Sequence, residues 1–269
     1  MSGVVARSGD LSNVGLIVCD LDGVVYLGSE PIRGAAEALA AFARGGIELL
    51  FVTNNATRSR RTAAEAVRAL VGYEARPEQM VTSSWATAAW IRGRVETALV
   101  VGEEGLIETL DEFGIRVVDS PDEVDAVVVG LDRRVDYDRI ARAAQALHRG
   151  ARLYATNTDA TYPTPQGLAP GAGAIVAAVE TAAGVTAEVC GKPHLPMRRL
   201  LDELTAGRTV AVIGDRVETD VALGVAQGWA TILVLTGVTA DADGVPGDLA
   251  PTAVVPSIAD ALSLFGLAQ

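Results

Sequence analysis

The sequence is poor in aromatic residues and rich in small aliphatic ones. Phe, Trp and Tyr make up 4% of the 269 residues, while hydrophobic residues make up 49%. Such a chain is long enough to bury a substantial core as one large domain or two modest ones. Small aliphatic side chains in alternating strand and helix patterns favour the α/β class.

Positive charge is also scarce. The chain carries 22 Lys and Arg residues against 34 Asp and Glu residues, for a net charge of -12. A nucleic acid or an anionic membrane surface requires a basic face, so neither is expected as a partner. Any phosphate site must therefore be locally basic or assisted by a metal ion.

Cysteine and long apolar runs are nearly absent. The two cysteines, Cys19 and Cys190, lie in apolar segments and are predicted to be buried hydrophobes rather than a disulfide framework. Residues 1–13 lack a signal-peptide core, and no apolar run approaches the roughly 20 residues of a membrane helix. These absences predict a cytoplasmic protein.

One stretch combines an apolar run with two closely spaced carboxylates. Residues 16–19 are apolar, which predicts a strand buried on both faces, as in a parallel sheet. Asp20 and Asp22 fall where that strand ends, and ligands of open α/β sheets bind at this end of the strands. Taken alone, the stretch fits an ordinary acidic turn equally well.

Polar residues occupy comparable places elsewhere. Thr53 with Asn54, and Asp215 with Asp220, follow two further predicted buried strands. Lys192 lies in a loop between a glycine and a proline. Because a parallel sheet brings the carboxyl ends of its strands to one edge, we expect all these residues to face one pocket.

The strand and helix pattern restarts near Ser84 and is interrupted again near Glu188. This predicts a discontinuous core of residues 1–83 and 188–269, with a second α/β domain of residues 84–187 inserted in it. Within the insertion, the Pro- and Gly-rich stretch 163–173 is predicted to be a loop that leads into a helix.

The clustered residue types suit phosphoryl transfer. Asp20 and Asp215 can bind a hard cation such as Mg²⁺, which takes one or two protein carboxylates together with waters and phosphate oxygens. A threonine hydroxyl, backbone N–H groups and the Lys192 ammonium suit a phosphate. An aspartate beside a metal and a lysine can attack phosphorus, which leaves Asp22 as general acid and base.

The motifs resemble, in order, the four motifs of the phosphatase branch of the haloacid dehalogenase-like (HAD) superfamily. The matching segments are 20–24, 53–55, 191–193 and 214–220. Residues 155–159, 163–164 and 167–173 also resemble subfamily IIA, the NagD-like and 4-nitrophenyl phosphatase-like enzymes. This resemblance implies a Rossmann-like parallel-sheet core with an inserted α/β cap of the C2 type.

The resemblance also implies roles for the metal and the reacting groups. Asp20 is expected to be the nucleophile and a Mg²⁺ ligand. Asp22 is expected to be the acid and base, and a second ligand through its backbone carbonyl, while Asp215 supplies the third ligand. Asp220 is expected to order the site from outside the coordination sphere or to reach the metal through water.

By the same resemblance, Thr53 and the Asn54 backbone hold the phosphoryl group, and Lys192 steadies both nucleophile and phosphate. In the cap, Arg133 or Arg134 is a candidate for binding an acidic substrate tail, although solvated surface charge explains them equally well. His194 is interpreted as an exposed loop residue near a helix start, since the carboxylate mechanism needs no histidine.

The expected function is a Mg²⁺-dependent hydrolase that removes phosphate from a small metabolite through an aspartyl-phosphate. Related enzymes suggest sugar or glycerol phosphates, phosphoglycolate, nucleoside monophosphates, pyridoxal phosphate and 4-nitrophenyl phosphate as substrates. Two alternatives stay open: a catalytically weak regulatory protein that binds a phosphate ligand, and a phosphotransferase. A homodimer formed through the cap, as in relatives, is compatible with the resemblance.

Overall fold

The computed structural model describes residues 5–6, 11–164, 167–241 and 245–267. Residues 1–4 and 7–10, which belong to the segment predicted to lack a signal peptide, lie outside this range. The strands are β1 (Val5–Ala6), β2 (Leu16–Cys19), β3 (Tyr26–Leu27), β4 (Glu30–Pro31), β5 (Glu48–Thr53), β6 (Met80–Thr82), β7 (Thr97–Val101), β8 (Arg116–Val118), β9 (Ala126–Val129), β10 (Arg152–Ala155), β11 (Thr161–Thr164), β12 (Gly167–Pro170), β13 (Glu188–Val189), β14 (Val210–Gly214), β15 (Ala230–Val234) and β16 (Ala253–Val255).

The α-helices of the same residues are α1 (Ala35–Arg44), α2 (Arg60–Val71), α3 (Ser83–Ile91), α4 (Glu104–Glu112), α5 (Tyr137–His148), α6 (Ala172–Ala183), α7 (Leu195–Thr205), α8 (Ala222–Gln227) and α9 (Ile258–Ala261). Short 3₁₀ turns lie at Pro77–Gln79, Gly247–Leu249 and Leu262–Phe265, and a π-helical turn lies at Val217–Val221.

The first sheet has the strand order β1-β16-β15-β14-β2-β5-β6 in the described residues. All its pairs are parallel except β1 with β16. Its interior strand β2 is buried along its whole length, as the unbroken apolar run predicts. Burying each such aliphatic side chain contributes about 1.5–3 kcal/mol, so this strand anchors the residues that follow it.

Helices cover both faces of the first sheet. Side chains of α1, α2 and α9 pack on one face, and those of α3, α7 and α8 pack on the other. The start of α2 shows how sequence sets these elements: the Ser59 hydroxyl accepts a hydrogen bond from the Thr62 N–H, as an N-cap does. This three-layer α/β/α arrangement confirms the predicted fold class.

The second sheet consists of parallel strands in the order β13-β10-β9-β7-β8. Helices α5 and α6 pack on one face, and α3 and α4 pack on the other. Helix α3 joins the two sheets, because Ala86 belongs to the core of the first sheet and Ile91 to the core of the second.

The boundary predicted near Glu188 falls on a strand of the second sheet. Glu188 and Val189 form β13, which pairs with Tyr154 and Ala155 of β10. The division into residues 1–83 with 188–269 and residues 84–187 stays a prediction, and this pairing places residues 188–189 with the second sheet.

The stretch 163–173 was predicted to be a loop, and this is wrong for most of it. β11 and β12 form an antiparallel hairpin in which Pro163 faces Leu168 and Pro170 faces Thr161. Residues 165 and 166 at its tip lie outside the described residues. Both strands of a two-stranded hairpin are edge strands, where proline is tolerated because its missing N–H need not enter a ladder.

Candidate active site

Three of the predicted clusters meet at one edge of the first sheet. Strands β14, β2 and β5 are adjacent and parallel, so the residues that follow them share that edge. Asp20 follows β2, Thr53 ends β5, and Asp215 follows β14. The Asp20 N–H still donates to the Ile213 carbonyl over 2.9 Å, so the first carboxylate is held in sheet register.

Lys192 is the only lysine in the sequence, and it lies buried among the carboxylates. Its ammonium donates to Asp20 Oδ1 over 2.7 Å, to Asp220 Oδ1 over 2.6 Å and to the Val52 carbonyl over 2.8 Å. Three acceptors match the three protons of an ammonium group, so the geometry fixes this charge beside Asp20.

The electrostatics of this group depend on burial and on opposing charges. Burial disfavours the charged form of Lys192, but attraction to Asp20 and Asp220 outweighs it and raises the pKa of the ammonium. Burial also raises the pKa of Asp20 well above the usual range of an aspartate; Lys192 opposes that rise, and Asp220 and Asp215 add to it. Additional positive charge beside Asp20 would therefore favour its ionised form.

The carboxylates fit a hard divalent cation. One oxygen each of Asp20, Asp215 and Asp220 lies within 4.8 Å of the others. Asp215 Oδ1 is buried and has no hydrogen-bond partner among the described residues, although Oδ2 accepts from the Val238 N–H over 2.6 Å. Burial raises the pKa of Asp215 to about 7, and Asp220 adds to the rise. An unpartnered buried oxygen beside two more carboxylates is a donor set that suits Mg²⁺.

Both oxygens of Asp220 are already used. Oδ1 accepts from Lys192, and Oδ2 accepts from the Arg216 N–H over 3.1 Å. Asp220 fits beneath Gly214, where any side chain would overlap its carboxyl group. These bonds agree with the predicted ordering role, whereas Asp215 keeps an oxygen available.

Asp22 lies half-buried at the wall of a cleft that also exposes Asp20. Burial raises the pKa of its carboxyl, while the Arg58 charge and a hydrogen bond from the Asn55 side chain oppose the rise. Gly23 follows with φ of 89°, which lets the chain turn sharply away from the sheet edge. Asp20 and Asp22 therefore lie in different surroundings despite their spacing.

Thr53 and Asn54 both line the same cleft, as predicted. The Thr53 hydroxyl accepts from the Asn55 N–H over 3.0 Å. The Asn54 side chain, however, bridges loops: its Oδ1 accepts from the Lys192 N–H over 2.8 Å, and its Nδ2 donates to Asp159 Oδ1 over 3.0 Å. The Asn54 carbonyl in turn accepts from the Asn157 Nδ2 over 2.7 Å.

The second sheet supplies the opposite wall of the cleft. Its contributions are Leu131 and Arg133, which follow β9, Asn157 and Asp159, which follow β10, and Tyr162 and Pro163 of the hairpin. Arg216 also lines the cleft and donates from a guanidinium nitrogen to the Thr161 carbonyl over 2.8 Å. Sequence reasoning gave Arg216 no role, although its place directly after Asp215 was a usable signal.

Arg133, Arg134 and His194 lie in three different places relative to the catalytic cleft. Arg133 reaches the cleft, but its guanidinium pairs with both oxygens of Glu103, at 2.8 and 2.6 Å. Arg134 lines a different cleft. His194 is exposed at the N-cap of α7 and is not among the cleft residues, which confirms its interpretation as a loop residue at a helix start.

Comparison with known proteins agrees with this geometry. The family model described as haloacid dehalogenase-like hydrolase matches residues 17–116, and a second, described as HAD-hydrolase-like, matches residues 189–261. The acid sugar phosphatase of Staphylococcus aureus is 37% identical over 237 residues, which cover 87% of this chain and 91% of that protein. The chain belongs to the HAD family.

Solved structures place this HAD protein among phosphatases. The glycerol phosphate phosphatase of Mycobacterium tuberculosis in complex with magnesium superposes with a TM-score of 0.85 at 34% identity, over 94% of this chain and 78% of that one. The p-nitrophenyl phosphatase of Archaeoglobus fulgidus superposes with a TM-score of 0.85 at 34% identity, over 93% and 99%.

These similarities confirm the predicted HAD subfamily IIA and show that the chain is a HAD phosphatase. They also agree with a Rossmann-like core that carries a cap. In the part of the chain that the structure describes, no helix is both long and apolar enough to span a bilayer.

Proposed function

We propose that this HAD phosphatase is a Mg²⁺-dependent phosphomonoesterase that works through an aspartyl-phosphate on residue 20. The observation that carries the proposal is the buried contact of the Lys192 ammonium with Asp20 at 2.7 Å, at the base of a cleft that also contains Asp22. Lysine beside one carboxylate, with a second carboxylate close by, provides the charges that nucleophilic attack on phosphorus requires.

Asp20 is the proposed nucleophile. A carboxylate oxygen of Asp20 forms a bond to phosphorus as the bond between phosphorus and the ester oxygen breaks. Lys192 holds the carboxylate in place and offsets negative charge on the phosphoryl oxygens. Thr53 and the Asn54 backbone N–H orient those oxygens from the end of β5.

Asp22 is the proposed acid and base. It donates a proton to the leaving oxygen in the first step and accepts one from the attacking water in the second, when the bond between Asp20 and phosphorus breaks. Burial raises the pKa of Asp22, which helps it carry that proton near neutral pH.

Asp20, Asp215 and the Asp22 carbonyl are the proposed ligands of Mg²⁺, with Asp220 ordering the group through Lys192 and the Arg216 N–H. The ion, when bound, neutralises charge on the transferred phosphoryl group. The support for this assignment is the unpartnered Asp215 Oδ1, since a buried carboxylate oxygen without a donor suits a cation.

The proposed substrate class is a phosphate ester of a small polyol, such as a sugar or glycerol. Hydrogen-bonding side chains line the cleft, namely Asn157, Asp159, Tyr162 and Arg216, and they suit a hydroxylated leaving group. Similar proteins named acid sugar phosphatase and glycerol phosphate phosphatase support this choice. Phosphoglycolate, nucleoside monophosphates and pyridoxal phosphate rank lower, because neither of these names supports them.

The inserted region is the proposed cap, which covers the site and excludes water until hydrolysis. Its contacts with the core support this role: Asp159 accepts from Asn54, and the Thr161 carbonyl accepts from Arg216. The Gly105 N–H at the start of α4 also donates to the Thr57 carbonyl over 3.2 Å.

A screen of phosphorylated metabolites, run with Mg²⁺ and with excess EDTA, tests the proposal. We expect release of inorganic phosphate from polyol phosphates, loss of turnover in EDTA, and recovery when Mg²⁺ is restored. Adding glycerol and measuring its phosphorylation separates hydrolysis from phosphotransfer. Turnover that is indifferent to EDTA, or transfer to glycerol without phosphate release, would contradict the proposal.

A further inference from the structure

A second cleft lies at the β8 edge of the second sheet and is lined by residues of β7, β8, α4 and α5. Its apolar floor includes Leu99 of β7, Val117 of β8 and Ile107 of α4. Its charged wall comprises three arginines, Arg134, Arg139 and Arg142, with Asp119 as the one acidic residue among those that line it.

One buried carboxylate organises this wall. Asp132 is almost fully buried, and its Oδ1 accepts from the Arg134 N–H over 2.9 Å while its Oδ2 pairs with the Arg139 guanidinium. This buried acid fixes the Arg139 side chain and the backbone of Arg134 before any ligand arrives, whereas the exposed Arg134 side chain is not held by it.

Helix α5 places the third arginine beside the second. Arg139 and Arg142 are three residues apart, so they lie on the same face of the helix. Among the described residues, no carboxylate oxygen lies within 4.0 Å of the guanidinium of Arg134 or Arg142. The guanidinium groups of Arg134 and Arg142 are therefore available to a bound anion.

The two clefts share a segment. Leu131 and Arg133 line the catalytic cleft, and Arg134, the next residue, lines the second one. Glu103, which holds Arg133, directly follows Gly102 of the second cleft. A ligand in the second cleft would therefore contact the same loop that forms part of the catalytic wall.

We propose that the arginine-walled cleft is a second binding site, and that it takes a small organic anion with an apolar or aromatic body and at least two negative charges. The guanidiniums bind the charged end through charge-assisted hydrogen bonds, and the floor of Leu99, Ile107 and Val117 covers the body. This inference is independent of the proposed phosphatase mechanism.

The test is calorimetric titration of the full chain with phenylphosphonate, a non-hydrolysable aromatic dianion, in EDTA at mildly alkaline pH. We expect saturable binding to the wild type and weaker binding of inorganic phosphate, which lacks an apolar body. In Arg134→Gln/Arg142→Gln, we expect the phenylphosphonate affinity to fall by at least about tenfold, since two charge-assisted contacts are lost.

The matched control is Arg149→Gln/Arg152→Gln, which removes the same charge from exposed cap positions outside both clefts. Its affinity should stay within about twofold of the wild type. Three results would overturn the proposal: no binding to the wild type, equal weakening in the control, or unchanged binding in the test variant. The last result would place the ligand outside this cleft. If the double variant does not fold, Arg142→Gln alone, at an exposed helix position, decides the same question.

Discussion

Replacing Lys192 with methionine should destabilise the metal-free protein far more than removal of an ordinary ion pair. Methionine keeps the volume and apolar stem of the side chain, so the change isolates the ammonium group. It removes three hydrogen bonds, to Asp20 at 2.7 Å, Asp220 at 2.6 Å and the Val52 carbonyl at 2.8 Å. The Val52 carbonyl and Asp220 are buried, and the Asp20 side chain, at the base of the cleft, is only 9% exposed, so water replaces the lost donor poorly.

The magnitude follows from burial. The Lys192 side chain is 3% exposed, and those of its partners Asp20 and Asp220 are 9% and 2% exposed. Removing one partner of a buried ion pair costs about 3–5 kcal/mol, because the remaining charge is left unpaired. Two carboxylates remain here, so we expect a loss towards the upper end of that range when both are ionised.

The assay is urea unfolding at mildly alkaline pH in EDTA, followed by circular dichroism. The control is Arg208→Met, which breaks an ion pair of equal length, 2.6 Å to Glu48, between side chains that are 41% and 63% exposed. That variant should lose about 0–1 kcal/mol. If the two variants lose the same free energy of unfolding, with equal m values, the buried charge network does not hold the site as described.

Three further substitutions probe other contacts. Gly105→Ala places a methyl group against the Arg58 backbone. The cost of overpacking, about 1–3 kcal/mol, should exceed the gain from alanine's helix propensity and lower the melting temperature. A higher melting temperature would show that α4 does not pack there. Asn54→Leu leaves the buried Lys192 N–H unpaired and should cost about 1–3 kcal/mol in urea unfolding together with most of the turnover, whereas full activity would show that this bridge is dispensable. Asp215→Asn should raise the Mg²⁺ concentration for half-maximal thermal stabilisation by at least about tenfold, and an unchanged midpoint would remove Asp215 from the metal site.

The position of the site at a strand edge was predictable because its signals are local. An apolar run that ends in Asp20, and others that end in Thr53 or before Asp215, mark buried parallel strands whose carboxyl ends align. The chemistry of aspartate, threonine and lysine side chains then limits what such an edge can bind. The burial of Cys19 and Cys190 follows from the same apolar context.

Contacts between distant parts of the chain were not predictable in this way. Asn54 meets Asp159 across 105 residues and Lys192 across 138 residues, and no periodicity encodes those meetings. The role expected for Asn54 involved its backbone only. In the structure its side-chain amide also forms hydrogen bonds with Asp159 and with the Lys192 N–H, and so links two loops. The hairpin of β11 and β12 was not predicted because proline and glycine in sequence indicate turns. Both of its strands are edge strands, where proline is tolerated because few N–H groups need to pair.

The residues that line the second cleft were also not predictable from the sequence. Arg133 and Arg134 are neighbours in sequence, yet they line different clefts, because Glu103 holds one guanidinium and Asp132 orients the backbone of the next residue. Sequence alone left both arginines as equivalent candidates for a substrate tail. Only the placement of α5 beside the edge of the second sheet distinguishes them.

The most direct test of the aspartyl-phosphate claim is a pre-steady-state experiment with 4-nitrophenyl phosphate, whose leaving group departs as a stable anion and needs no proton. Asp22→Asn should release a burst of 4-nitrophenolate equal to the enzyme concentration and then nearly stop, because attack by Asp20 proceeds while activation of water does not. Mass spectrometry of the quenched protein should find a phosphoryl group on the peptide that contains residue 20. Asp20→Asn should give neither burst nor label; a burst from Asp20→Asn, or none from Asp22→Asn with steady turnover intact, would contradict the account.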